Sequence, residues 1–276
     1  MPQPVKPSAD APLFQYHASA YAFSGHFTRP FEQQIDVQAS SSLCVTGGHG
    51  CSRVENFQFR NFISFKAGYT HVSGGFLAGD GSDNPDTNKD TNNTLVTSVL
   101  EGLNMMDLVT ADRVVCRLYS KHPKGQPEGN ITMHGSKFVN LQICGKPVTI
   151  DLDFALFEQI QTFKQAIDAY TDSSSDFYKR ASDPFGTGKK LPQQKGDGVF
   201  LCSLAKSIQV DPGLGATVDR HSVYVPGFGT VYFAEVFMTH GQRVLTMFRY
   251  ELGSSTSGGG SGGSGGTNGK QYPPGG

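Results

Sequence analysis

Asp86, Asn88, Asp90 and Asn92 alternate along a polar run at residues 79–94. Alternating side-chain oxygens are how a calcium loop presents its first ligands. The rest of such a loop is missing, because Thr91 stands where the sharp turn needs glycine and Thr97 where a bidentate glutamate belongs. These four residues are a partial calcium candidate, with a solvated loop as the competing reading, and Asp80 and Asp83 add oxygens only if the run folds back. Calcium is the single cofactor the chain suggests.

Cys44 and Cys51 bracket Val45-Thr-Gly-Gly-His-Gly50, a flexible loop that a disulfide can close. The other cysteines are Cys116, Cys144 and Cys202, so the count is odd and at least one thiol is free or paired between chains. These three lie in strand-like runs, where a thiol packs as a small hydrophobe. Cys44, His49 and Cys51 offer three zinc ligands, but a fourth is missing and the chain holds no CxxC pair.

Other chemistry finds less. Gly186-Thr-Gly-Lys-Lys190 resembles a phosphate loop, yet Asp183 occupies the place of its first glycine and Lys190 that of its Ser or Thr. There is no HExxH and no GxSxG. Glycan hydrolysis needs two facing carboxylates. Glu101, Asp107, Asp112, Asp151, Asp153 and Glu235 are available near strands, but their spacing singles out no pair. Asn92-Asn-Thr94 and Asn130-Ile-Thr132 fit the glycosylation acceptor. No catalytic residue is assigned.

The elements that must position these groups read mainly as strands. Val139, Leu141 and Ile143 alternate with polar residues, and Gly145-Lys146 turns residues 137–152 into a hairpin. Phe57, Phe59, Ile63 and Phe65 share a face that breaks once at Asn61-Phe62. Residues 109–120 read as a strand, and 199–204, 222–225, 230–238 and 243–250 as later ones. Leu95, Val96, Val99, Leu100, Leu103 and Met106 fit helix and strand equally, although Gly102 and Asn104 argue against a long helix. Phe154, Phe157, Ile160, Phe163, Ile167 and Tyr170 recur at spacings of three and four. That stripe predicts one amphipathic helix over 154–170, with Asp153 as its N-cap.

Composition sets the outer bounds. Twenty Phe, ten Tyr and no Trp point to a phenylalanine-rich core or to an exposed Phe patch used for assembly. With 23 basic and 24 acidic residues the net charge is -1, which gives no field for nucleic acid or anionic lipid. No apolar run is long enough to span a membrane, and residues 1–12 are proline-rich without the apolar stretch of a signal peptide. Residues 253–276 are rich in glycine and serine and read as a flexible, disordered tail with nothing to pack.

Four stretches resemble the choice-of-anchor P family of bacterial proteins. They are Ala18-Ser-Ala-Tyr-Ala-Phe-Ser24, Gly102-Leu-Asn-Met-Met-Asp-Leu-Val-Thr-Ala-Asp-Arg-Val114, Phe138-Val-Asn-Leu-Gln-Ile-Cys-Gly-Lys-Pro-Val-Thr149, and Val225-Pro-Gly-Phe-Gly-Thr-Val-Tyr-Phe-Ala-Glu235 followed by 244–250. The resemblance spans residues 18–250 and implies a secreted or surface-linked protein without an assigned activity. The matching positions look architectural, so no functional residue carries over. This chain departs from the pattern in its missing signal peptide and in the 154–198 segment.

The expected architecture is one β-rich domain over 13–252, an antiparallel sandwich or partly closed barrel. It carries one inserted helix within a helical and loop insertion at 153–198. The expected function is a non-catalytic structural or adhesive surface or assembly protein, with a homo-oligomer or surface array as its partner. The alternatives are a carbohydrate- or ligand-binding β module, for which a glycan is the partner, and a glycan-acting hydrolase.

Overall fold

Side chains that alternate between buried and exposed positions pair the strands into two antiparallel sheets. The sheets pack face to face as a sandwich, and neither closes into a barrel. The computed structural model describes residues 13–82, 89–126, 128–181, 199–253 and 256–272. The first sheet runs β15 (Thr217–Asp219), β16 (Ser222–Val225), β17 (Gly229–Thr239), β18 (Gln242–Leu252), β19 (Ser257–Tyr272), β1 (Leu13–Arg29), β2 (Gln33–Gln38). Beside this path, β13 (Phe200–Ser203) pairs with β17 and β3 (Ser41–Ser42) with β1.

The second sheet is a meander of β4 (Gly48–Phe59), β5 (Ile63–Leu77), β6 (Thr91–Met105) and β7 (Val109–Pro123). It continues through β10 (Gln142–Ile143) and β11 (Lys146–Pro147), while β8 (Asn130–Thr132) and β9 (Lys137–Val139) also bond β7. A separate ribbon joins β12 (Thr149–Leu152) to β14 (Ala205–Gln209). Phe23, Phe27, Phe65, Phe233 and Phe248 fill the space between the two sheets. Each such ring contributes roughly 1.5–3 kcal/mol by leaving water.

The long strands share an interruption. In β6 the buried residues Val96, Ser98 and Leu100 are followed by Leu103 and Met105, one position out of phase. In β7 the same slip separates Val109 and Ala111 from Val114, Cys116 and Leu118. In β18 it separates Leu245 and Met247 from Phe248, Tyr250 and Leu252. Left-handed residues mark the slip in alternate strands: Asn56 in β4, Gly102 in β6, Ala234 in β17 and Gly263 in β19. A residue of positive φ turns the following side chains to the other face, as at a bulge. The strain at Ala234 is supported locally, because Ser203 Oγ donates to the carbonyls of Phe233 (2.8 Å) and Ala234 (3.1 Å). Each slip lies beside the next, so a seam crosses each sheet. This seam is why residues 95–108 looked half helical. A strand that changes phase after Leu100 puts its apolar residues three and four apart.

The expected single helix is divided. Helix α1 covers Phe154–Gln159, α2 Phe163–Thr171 and α3 Asp176–Arg180. Asp153 caps α1, as its position predicts, by accepting from Leu156 N at 3.1 Å. Thr162 starts α2 with a capping box: its Oγ1 accepts from Gln165 N (3.2 Å), and Gln165 Oε1 accepts from Thr162 N (2.9 Å). The apolar stripe survives the break. Phe163, Tyr170 and Phe177 all pack on Phe200 of β13, so the helices rest on the strand outside β17.

The largest correction concerns residues 253–276. Instead of a disordered tail, 257–272 form β19, a strand inside the first sheet. It pairs with β1 from Leu13↔Tyr272 to Arg29↔Ser257 and with β18 from Arg243↔Thr267 to Leu252↔Gly258. Glycine is required there by close approach. A Cβ on Gly262 would lie 2.4 Å from Phe248 Cζ and 2.9 Å from Leu100 Cδ1, and one on Gly265 would lie 2.6 Å from Val96 Cγ1. Neighbouring side chains already occupy the volume that a larger residue would need.

Candidate functional site

Two strands stand out: β4, which ends a sheet, and β19, which fills one.

β4 is 12 residues long and forms the end of the second sheet. Among the described residues, its ladder bonds go to β5 alone. A long edge of unpaired N–H and C=O groups is a template for a further strand. Its outer face carries exposed Cys51, Arg53 and Glu55, with Arg53 Nη2 2.7 Å from Glu55 Oε1 and its guanidinium 5.6 Å from the Tyr69 ring. The left-handed Asn56 ends the regular part.

The slot that holds β19 reads hydroxyls as well as shape. Ser257 Oγ meets Thr28 Oγ1 at 2.5 Å, Ser261 Oγ meets Tyr21 OH at 2.9 Å, and Ser264 Oγ meets Thr246 Oγ1 at 3.2 Å. Thr267 Oγ1 bonds Thr94 Oγ1 of the opposite sheet. Each hydroxyl from 257 to 267 therefore finds a hydroxyl partner, while the glycines between them admit the side chains of the slot.

The residues singled out by sequence do not converge. Asp86 and Asn88 of the calcium candidate lie outside the described residues, as does the Gly186–Lys190 run. Asp90 accepts from Gly79 N at 3.2 Å and lies 3.7 Å from Lys124 Nζ. Asn92 sits in β6 and accepts from Tyr16 OH at 2.7 Å. Both described oxygens thus tie the polar run to the sandwich. Among the described residues, no three His, Cys, Asp or Glu side chains come together to hold a metal ion.

Cys44 and Cys51 are exposed and free, so the expected bridge is not formed. The chain turns at 44–47, with Gly47 N donating to Cys44 O at 2.9 Å, and then leaves along β4, where Cys51 stands opposite His71. The Thr46 hydroxyl lowers the Cys44 thiol pKa by hydrogen bonding to it. Cys144 is exposed in the turn after β10 and does not pack as expected, whereas Cys116 and Cys202 are buried. Burial pushes the Cys202 thiol up to about 11, which leaves it inert at neutral pH.

Five of the six carboxylates have a partner of their own, and Asp151 sits exposed in β12. Glu101 pairs with Arg113 (2.7 Å), Asp112 accepts from Asn140 (3.2 Å), Asp107 from Asn104 (2.7 Å) and Asp153 from Arg180 (2.8 Å). Glu235 has the densest set. Arg249 grips it through Nε (2.8 Å) and Nη2 (3.0 Å), and His221 Nε2 lies 3.3 Å away. Burial opposes its ionisation, but the hydrogen bonds from His221 and Arg249 and the charge of Arg249 prevail and hold its carboxyl at about 2. At neutral pH it is a fixed anion and no proton donor. Arg249 also stacks 3.7 Å over the Tyr232 ring. The sequence shows Glu235 as one candidate carboxylate among six and gives no sign of Arg249, which reaches it only through the β17–β18 register.

Arg243 is a second buried charge. It donates to the carbonyls of Thr239 (3.0 Å), Gln242 (3.1 Å) and Gln161 (3.2 Å). Burial lowers it to about 10, against the charge of Glu128, whose Oε2 accepts from Phe163 N at 2.8 Å. Together these groups dock the helices on the β17–β18 turn. A groove of about 690 Å³ opens beside them, lined by Asp153, Gln159, Asp168, Ser175, Asp176 and Lys206. A smaller one of about 200 Å³ lies at the β4–β5 turn, among Gln58, Asn61, Phe62, Ser64, Asn104 and Asp107.

Fold and surfaces define a two-sheet antiparallel β-sandwich in which β19 is inserted between β1 and β18. The chain belongs to the family described as a domain of unknown function, DUF8256, whose model matches residues 14–239. No curated protein and no solved structure matches it.

Proposed function

We propose that this chain is a non-catalytic structural or adhesive module that works by associating with further copies, through the edge of β4. The carrying observation is that edge: 12 residues long, bonded on one side only, and bearing an exposed Arg53–Glu55 pair on its outer face. Both signs of charge sit close together there, so a second copy finds complementary partners. The resemblance to choice-of-anchor P proteins supports a cell-surface setting for the assembly.

Light scattering across a concentration range tests this reading. The expected mass is a multiple of 29.7 kDa. Cys51→Glu with Arg53→Glu places three carboxylates with Glu55 along one edge strand and weakens association about tenfold or more. A strictly monomeric wild-type chain at every concentration overturns the reading. The amide-lined groove beside Phe62 favours ligand binding as a second reading, tested by titrating neutral oligosaccharides against an Asn61→Ala variant.

A further inference from the structure

We propose that the slot between β1 and β18 is a recognition site for a glycine- and serine-rich strand, and that it accepts residues 257–272 of a second copy as well as its own. It goes beyond the β4-edge reading, because the slot lies in the first sheet and β4 in the second.

The slot selects by two independent means. Side chains are excluded where Leu100, Val96, Phe248 and Tyr250 already stand: a Cβ would come within 2.4 Å of Phe248 at Gly262, 2.6 Å of Val96 at Gly265 and 2.7 Å of Tyr250 OH at Gly260. Hydroxyls are accepted at 257, 261, 264 and 267, each by a hydroxyl of β1, β18 or β6. A spacer selected only for flexibility would have no reason to match these positions. The match marks a ligand and its receptor, here joined in one chain.

The connection makes exchange between copies feasible. β19 is the last of the described strands and follows β18 in the chain after residues 253–256. From 257 to 267 it holds only Gly, Ser and Thr, so no large side chain must be drawn out of the core before the strand leaves. A copy's β19 makes identical contacts in its own slot or in a neighbour's, so the contact energies cancel. The connection then decides which arrangement forms. Strand addition that fills a slot in a sandwich is an established mode of assembly.

The test uses the full chain, refolded from urea with a large excess of fluorescent peptide spanning 256–272. The expected result is peptide retained with the protein on gel filtration. The same peptide carrying Gly262→Val and Gly265→Val should be retained about tenfold less or lower still, since the slot has no room for them. Equal retention of both peptides, or retention of neither, overturns the proposal. A second arm deletes residues 253–256, leaving one residue between the paired Leu252 and Gly258. A hairpin needs roughly two connecting residues, so this chain should appear at twice the monomer mass or above. A folded monomer overturns the proposal, and the peptide arm decides should the deletion chain not fold. The Cys51→Glu/Arg53→Glu chain should take up peptide as the wild type does, which separates failure of the slot from failure of the β4 edge.

Discussion

β6 and β19 lie across from one another at the centre of the sandwich and fill it by opposite means. β6 sends Val96, Ser98 and Leu100 inward, all of them fully buried. β19 sends almost nothing, and its glycines receive what β6, β7 and β18 send. Both strands are bonded along both edges. What makes a central strand is therefore the ladder plus a filled volume, and the strand itself need not supply the filling. Interior density is set by the pair of facing surfaces. A strand without side chains is stable where its neighbours are large enough.

The comparison is tested most severely by removing the bulk that β6 contributes. Leu100→Ala opens space over Gly262, where β19 has no atoms to move in, and should cost about 2–5 kcal/mol in urea unfolding. A loss below about 1 kcal/mol would mean that β19 is not packed against it. Glu235→Gln probes the other side of the sheet. Its carboxyl is held at about 2 from an ordinary 4.5, so its ionisation contributes about 3 kcal/mol at neutral pH. Because the folded value is depressed, that contribution is whole above pH 4.5 and lost as the pH falls towards 2. Wild type and variant should differ at pH 7 and converge near pH 2. This loss should simply add to that of Leu100→Ala, since Glu235 is bonded to Arg249 and His221 and has no part in the β6–β19 contact.

Adding bulk to β19 is the complementary change. Gly262→Val overfills the same space and should cost about 1–3 kcal/mol. Combined with Leu100→Ala, part of both losses should be recovered, because the new methyls occupy the vacated volume. Strict additivity of the two would break the picture of one shared volume.

How far this could be read from sequence follows from the same contrast. The Phe-rich core, the antiparallel sandwich and the Asp153 cap were legible, since each is written in the residues that form it. β19 was not, because a glycine run carries no periodicity, and the reason for its order lies in Phe248, Leu100 and Val96. The seam was hidden similarly. Gly102 was visible as a weak point and Asn56 is a residue type that tolerates a left-handed backbone, but Ala234 gives no sign that it adopts one. The split between α1 and α2 was legible and overlooked: Thr162 and Gln165 have the capping-box spacing. Of the candidate sites, the carboxylates were recognised as residue types, but their partners are chosen by register, and the free edge of β4 is a property of sheet order that one strand's sequence does not contain.

The finest test lies where β6 and β19 exchange hydroxyls. Thr94 and Thr267 are both buried and bond one another across the sheets inside the core. Thr267→Val keeps the shape and leaves the Thr94 hydroxyl without that partner, which should cost about 1 kcal/mol. Thr94→Val should cost about the same. The double change removes both polar groups together and should lie within a few tenths of a kcal/mol of the wild type, because no buried hydroxyl is then stranded. A chemical-denaturation cycle on the four chains measures this directly. If the double change costs the sum of the singles, the hydroxyls are satisfied elsewhere and the pair does not align β19. If it recovers, the pair carries register more than stability: the glycines let β19 into the slot, and a hydroxyl fixes where along the slot it stops.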